Sequence, residues 1–160
     1  MPKHPSYLNF DKARYPWRPE INYRQEPERY LVGKGEQGVL ICQPYKDELS
    51  PHWRFKDADI ARKSSKKIYE LFLHYLAKGE FVGADLARKF LQMGFTRARR
   101  YANYKGGRKY DKNRDYAKFE RGSGEDEKAE AASIFYKKWQ EAENNAEYKK
   151  QKALWQDKHG

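Results

Sequence analysis

FVGADLARKFLQMGFTRARRYAN, residues 81–103, is the stretch on which the fold turns. Leu86, Phe90 and Met93 recur at helical spacing, which predicts a helix over Val82–Met93 ended by Gly94. Thr96 then predicts the cap of a short third helix, RARRYANYK, stopped by Gly106-Gly107. Two helices about a glycine, the second arginine-rich, invite comparison with a helix-turn-helix. With Gly94 as the turn glycine, Lys89 and Phe90 fall where small or apolar residues belong, and the fit is poor.

Upstream, Asp57 is placed to cap a helix. Ile60, Ile68, Leu71, Phe72, Tyr75 and Leu76 form its inner stripe, and Arg62, Lys63, Lys66, Lys67 and Glu70 its outer face. Gly79 stops it. Downstream, residues 107–122 are polar and predict an ordered loop. Ser123 with Glu125, Asp126 and Glu127 then predicts a helix start, because carboxylates suit the positive end of the helix dipole. Ala132, Phe135, Tyr136 and Trp139 form an inward stripe. Asn144-Asn145 separates a last helix carrying Tyr148, Leu154 and Trp155.

The N-terminal part has a different character. Prolines at 2, 5, 16, 19 and 27 predict an extended arm over residues 1–28, which lays its rings on the domain. Tyr30-Leu31-Val32 and Gly38-Val39-Leu40-Ile41-Cys42 favour strand on either side of a glycine-bearing loop and predict a β-hairpin over 29–43. Residues 43–56 predict a loop, with a further short strand at Trp53–Phe55. The expected architecture is α+β: one helix-dominant compact domain over 29–158, with the hairpin packed against a helical body at 57–158.

Charge is concentrated. Of a net +11 over 160 residues, residues 61–122 carry 17 basic and 6 acidic side chains, while the flanks nearly cancel. Charged residues reach 36% and mean hydropathy is −1.20, values that on their own suggest disorder. Twenty-five aromatic residues oppose that, since disordered chains are poor in rings. No apolar run is long enough for a membrane span, and the start MPKHPSYLNFDKARYP has no hydrophobic block, so the expected location is the cytoplasm and no membrane partner is expected. A single cysteine, Cys42, excludes an intramolecular disulfide; in a hydrophobic strand it suits a small buried side chain.

Gly33, Gly35 and Gly38 spell a literal GxGxxG phosphate-loop pattern. A dinucleotide loop must open a helix, whereas Val39-Leu40-Ile41 favours strand, so turn glycines explain the pattern better. The kinase glycine loop does lie between strands, but no HRD or DFG motif follows. His4, His52, His74 and His159 form no metal motif, and no cofactor, metal or catalytic residue is predicted.

Residues 96–121, TRARRYANYKGGRKYDKNRDYAKFER, hold ten basic residues interleaved with rings. Cations neutralise phosphates and release counterions, and rings stack on unpaired bases. The expected contacts are Arg97, Arg99, Arg100, Lys105, Arg108 and Lys109 on phosphates and Tyr104 and Tyr110 on bases, with Lys63, Lys66 and Lys67 extending the track. The plainer reading is a solvated charged connector.

GKGEQGVL, PYK and PHWRFK within residues 33–56, the 81–111 segment ending RARRYANYKGGRKYD, and KAEAASIFYKKWQEA at 128–142 also carry a resemblance. Together they resemble an uncharacterised family of small basic proteins from bacteria and tailed phages, known only as a domain of unknown function. The resemblance spans roughly residues 20–145 and implies a compact cytoplasmic domain, with no activity or catalytic residue to transfer. The residues therefore lead to a non-enzymatic protein that binds DNA or RNA, of open oligomeric state. The alternatives are an enzyme acting on nucleic acid or nucleotides through the His52-Trp53-Arg54 loop and the 33–38 glycine loop, which a cleft lined by Asp57, His52 and basic residues would favour, or a module that docks an acidic protein.

Overall fold

The structure, a computed structural model, describes residues 18, 20–30, 41–103, 110–111, 117–118 and 126–159. Five α-helices dominate these: α1 (Tyr45–Leu49), α2 (Ala58–Ala77), α3 (Phe81–Asn103), α4 (Asp126–Glu143) and α5 (Ala146–His159). A two-residue antiparallel pair, Tyr110–Asp111 (β1) with Ala117–Lys118 (β2), is too short to form a layer. The fold is all-α, which corrects the expected α+β class. At the ends of the expected 29–43 hairpin, Tyr30 follows a 3-10 turn (Pro27–Arg29), and Gln43 accepts from the Tyr23 amide at 2.8 Å in an isolated bridge of the 22–43 pair. Residues 31–40, the hairpin's interior, lie outside the described residues. Trp53–Phe55 is irregular chain and not a strand, and the stretch expected to be a loop contains α1.

α2 forms as its sequence requires. Asp57 is extended and its carboxylate accepts from the Ile60 amide at 2.9 Å, satisfying a free donor of the first turn. At the other end Glu80 N donates to Tyr75 O (2.8 Å) and Gly79 N to Leu76 O (3.1 Å), closing the helix through a left-handed Gly79 at φ +73°. That turn reverses the chain, so α3 runs antiparallel to α2.

α3 does not stop at Gly94. The Phe135 ring of α4 lies directly on the bare Cα: a methyl at position 94 would stand 2.6 Å from Phe135 Cε1 and closer still to Cδ1. The glycine is there for close helix approach, and the Thr96 hydroxyl donates back to Met93 O at 3.2 Å within the same continuous helix. No helix-turn-helix is formed. Gly94→Ala is expected to cost about 1–3 kcal/mol, because the ring must leave its seat, and chemical denaturation would show it.

α4 runs antiparallel to α3 and parallel to α2. Lys128 lies over the Tyr101 ring and Glu143 pairs with Arg88 at 2.8 Å, while Glu130 pairs with Arg62 at 3.1 Å and Lys138 lies over Tyr69. Phe72, Phe90 and Phe135 fill the centre. After Asn145, whose side chain caps Tyr148 N at 2.9 Å, α5 returns across the far end, where Tyr148 and Trp155 stack on Phe81. Tyr136 is exposed (45%), not inward as the stripe predicted, and Leu154 of α5 is exposed as well (60%). Along the N-terminal half of α3 every residue from 81 to 91 is buried, partly beneath Tyr23, Tyr30 and Cys42 of the preceding segment. Arg24 fastens that segment by pairing with Glu48 (2.7 Å) and Glu80, which also accept from the Tyr75 and Tyr45 hydroxyls. Among the described residues no helix is long and apolar enough to cross a membrane.

Candidate nucleic-acid interface and the buried charge cluster

The antiparallel turn at Gly79 brings the start of α2 beside the end of α3, so residues far apart in sequence share one end of the bundle. Lys63, Lys66 and Lys67 are exposed in the first half of α2, and Arg97, Arg99 and Arg100 in the last third of α3. The 53–57 loop joins them: Arg54 N donates to Ser64 Oγ at 2.9 Å, and Trp53 lies under the Arg97 guanidinium. Arg54 and Lys56 of that loop, Arg62 of α2 and Lys128 of α4 add four cations, with Asp57, Asp59 and Glu130 among them. Among the described residues, Lys63, Lys66, Lys67, Arg97, Arg99 and Arg100 form no ion pair, whereas Arg62 is held by Asp59 (2.6 Å) and Glu130. Exposed cations without carboxylate partners keep their full attraction for an external anion.

Not every predicted contact can be placed. Tyr104, Lys105, Arg108 and Lys109 lie outside the described residues, as do Gly33, Gly35 and Gly38. Tyr110 is described by its backbone alone, in β1. His52 is exposed, but the Asp57 carboxylate beside it in sequence is used by the α2 cap, and Asp59 by Arg62. Among the described residues no three His, Cys, Asp or Glu side chains converge as metal ligands would.

The middle third also contains charge that sequence reasoning did not single out. Asp85, Arg88 and Lys89 stand on one face of α3 and are buried, at the end of the bundle opposite Arg97. Asp85 accepts from the hydroxyls of Tyr30 and Tyr148 (2.7 Å for the latter) and from Arg88 Nε at 3.1 Å, with Lys89 Nζ at 3.9 Å. Arg88 continues to Glu143, which also accepts from Trp139 Nε1 at 2.9 Å. Burial pushes the Asp85 carboxyl up, but Arg88, Lys89 and the two hydroxyls outweigh it and hold the group below the usual aspartate value. Burial pulls the Lys89 ammonium below the usual lysine value, with Asp85 opposing. Cys42 lies in the same surroundings, and burial pushes its thiol up to about 12, which makes it an inert packing group at neutral pH. The i, i+3, i+4 spacing of Asp85, Arg88 and Lys89 in the otherwise apolar run 81–91 was the available signal.

No curated protein and no solved structure matches this chain. A family model does match, over residues 16–158, and by that match the chain belongs to the family described as Domain of unknown function (DUF4385).

Proposed function

We propose that this protein is a non-enzymatic nucleic-acid-binding protein of the cytoplasm, which grips phosphates with the cationic end of its helix bundle. One observation supports the reading: six exposed cations on two antiparallel helices, Lys63, Lys66 and Lys67 in the first half of α2 and Arg97, Arg99 and Arg100 in the last third of α3, have no ion-pair partner among the described residues. Lys105, Arg108 and Lys109 follow directly after α3 and extend the track in sequence. The resemblance to small basic proteins of bacteria and tailed phages fits the same role.

Arginine forks and lysine ammonium groups neutralise phosphates and release condensed counterions, so affinity should depend steeply on salt. With about five phosphates neutralised on a duplex, log affinity is expected to fall against log salt with a slope near −4.5. Between about 50 and 200 mM salt that is roughly a 500-fold loss. Anisotropy titrations of labelled DNA and RNA duplexes measure it. A flat curve, or no affinity for either polymer, overturns the reading.

A further inference from the structure

At the cationic end, aromatic rings serve as seats for cations. The Arg97 guanidinium carbon stands 5.1 Å from the Trp53 ring centroid, and that of Arg99 stands 5.7 Å from Phe95. Lys128 Nζ stands 5.3 Å from Phe55 and 5.5 Å from Tyr101, and it also donates to the Phe55 carbonyl at 3.0 Å. Three cations make four such contacts at this end; Arg24, Arg88, Lys89 and Lys138 make others elsewhere among the described residues.

The seats are themselves fixed. Trp53 packs against Phe90 (5.5 Å) and Phe55 (5.2 Å), Phe55 against Tyr101 (6.1 Å), and Phe95 against Trp139 (5.7 Å) and Tyr136 (5.1 Å). A lysine or arginine free in water loses rotamer freedom when a phosphate pins it; one already resting on a ring has less to lose. Trp53, Phe55 and Phe95 are partly buried and each has a cation on one face, which leaves that face closed to a base, whereas Tyr101 is 37% exposed.

We infer that this interface recognises the sugar–phosphate backbone alone, its cations held in place by aromatic seats, and binds without regard to the identity or even the presence of bases. The inference rests on the nucleic-acid reading above and narrows it. The tyrosines expected to stack, Tyr104 and Tyr110, are not among the described side chains; the described rings Trp53, Phe55 and Phe95 each support a cation.

The test uses the full chain at low salt, with two labelled single strands of roughly twenty nucleotides, longer than one binding site. One carries bases and the other is abasic throughout. One stacked base adds roughly 5- to 150-fold in affinity, so backbone recognition predicts dissociation constants within about fivefold of each other. A larger preference for the base-bearing strand overturns the inference while leaving nucleic-acid binding intact. Absence of binding to both strands, and to duplex, overturns both. Trp53→Leu and Phe95→Leu, each checked for folding by circular dichroism, are expected to weaken binding of the two strands equally. Weakening confined to the base-bearing strand, or no weakening in a folded variant, overturns it. The wild-type comparison decides the question even if both variants fail to fold.

Discussion

Asp85→Ala is expected to lower the unfolding free energy by about 3–5 kcal/mol, the range seen when one partner of a buried ion pair is removed. The carboxylate is the shared acceptor for Arg88, Tyr30 and Tyr148 and the nearest anion to Lys89. Without it, the Tyr30 and Tyr148 hydroxyls lose their shared acceptor, Lys89 loses the carboxylate at 3.9 Å and Arg88 keeps only Glu143 as an ion-pair partner among the described residues, and each unsatisfied group bears its desolvation cost. These partners come from the N-terminal segment, α3 and α5, so the loss should loosen the docking of both flanking pieces. Because the folded value of Asp85 lies below its unfolded value, its contribution is complete above the unfolded pKa of about 4 and is lost as pH falls through the folded value. The gap between wild type and variant should therefore be widest near neutrality and shrink in acid. Urea unfolding at pH 7 and at pH 3 measures both. A gap below about 1 kcal/mol at pH 7 would mean that the cluster does not hold the fold.

The second large effect concerns binding. Changing Arg97, Arg99 and Arg100 together to glutamate is expected to weaken nucleic-acid affinity by at least about 100-fold, or roughly 2.7 kcal/mol, since three phosphate contacts become three repulsions. Stability should change little. All three side chains are exposed, and the cation–π contacts of Arg97 and Arg99 are worth about 0.5–1 kcal/mol each at such sites. The melting temperature should fall by only a few degrees. Anisotropy and thermal melts of the same preparation separate the outcomes. A folded variant that still binds removes these arginines from the interface, and a variant that unfolds makes them structural.

Local signals in the sequence were reliable where local chemistry decides. Asp57 caps α2, Gly79 ends it in a left-handed turn, Asn145 starts α5, and Ile68, Phe72, Tyr75 and Leu76 face the core. Where a distant partner decides, they failed. Gly94 looks like a stop in one dimension and is a seat for Phe135 in three. The β-favouring run ending in Ile41-Cys42 tipped the expected class to α+β, yet Ile41, Cys42 and Tyr30 are buried together as packing groups over α3. Strand propensity there reflects bulky apolar side chains that any buried segment needs. Tyr136 fell outward because Phe135 and Trp139 already occupy the α3 side of α4. Of the candidate site, the lysines of α2 and the arginines of α3 were legible as charge, but the antiparallel pairing of their helices required the reversal at Gly79.

That shared end has one more property. α2 and α4 both begin there, and α3 finishes there, so two helix starts face one helix finish. Peptide dipoles leave about half a positive charge at each start and half a negative charge at the finish, adding to the local excess of lysine and arginine. At the opposite end Glu48, Glu80, Asp85 and Glu143 balance their basic neighbours. Among the described residues, charge is thus uneven along the helix axes. In the field of a polyanion the molecule would be turned end-on while still separated by water, so that encounters begin in a productive orientation.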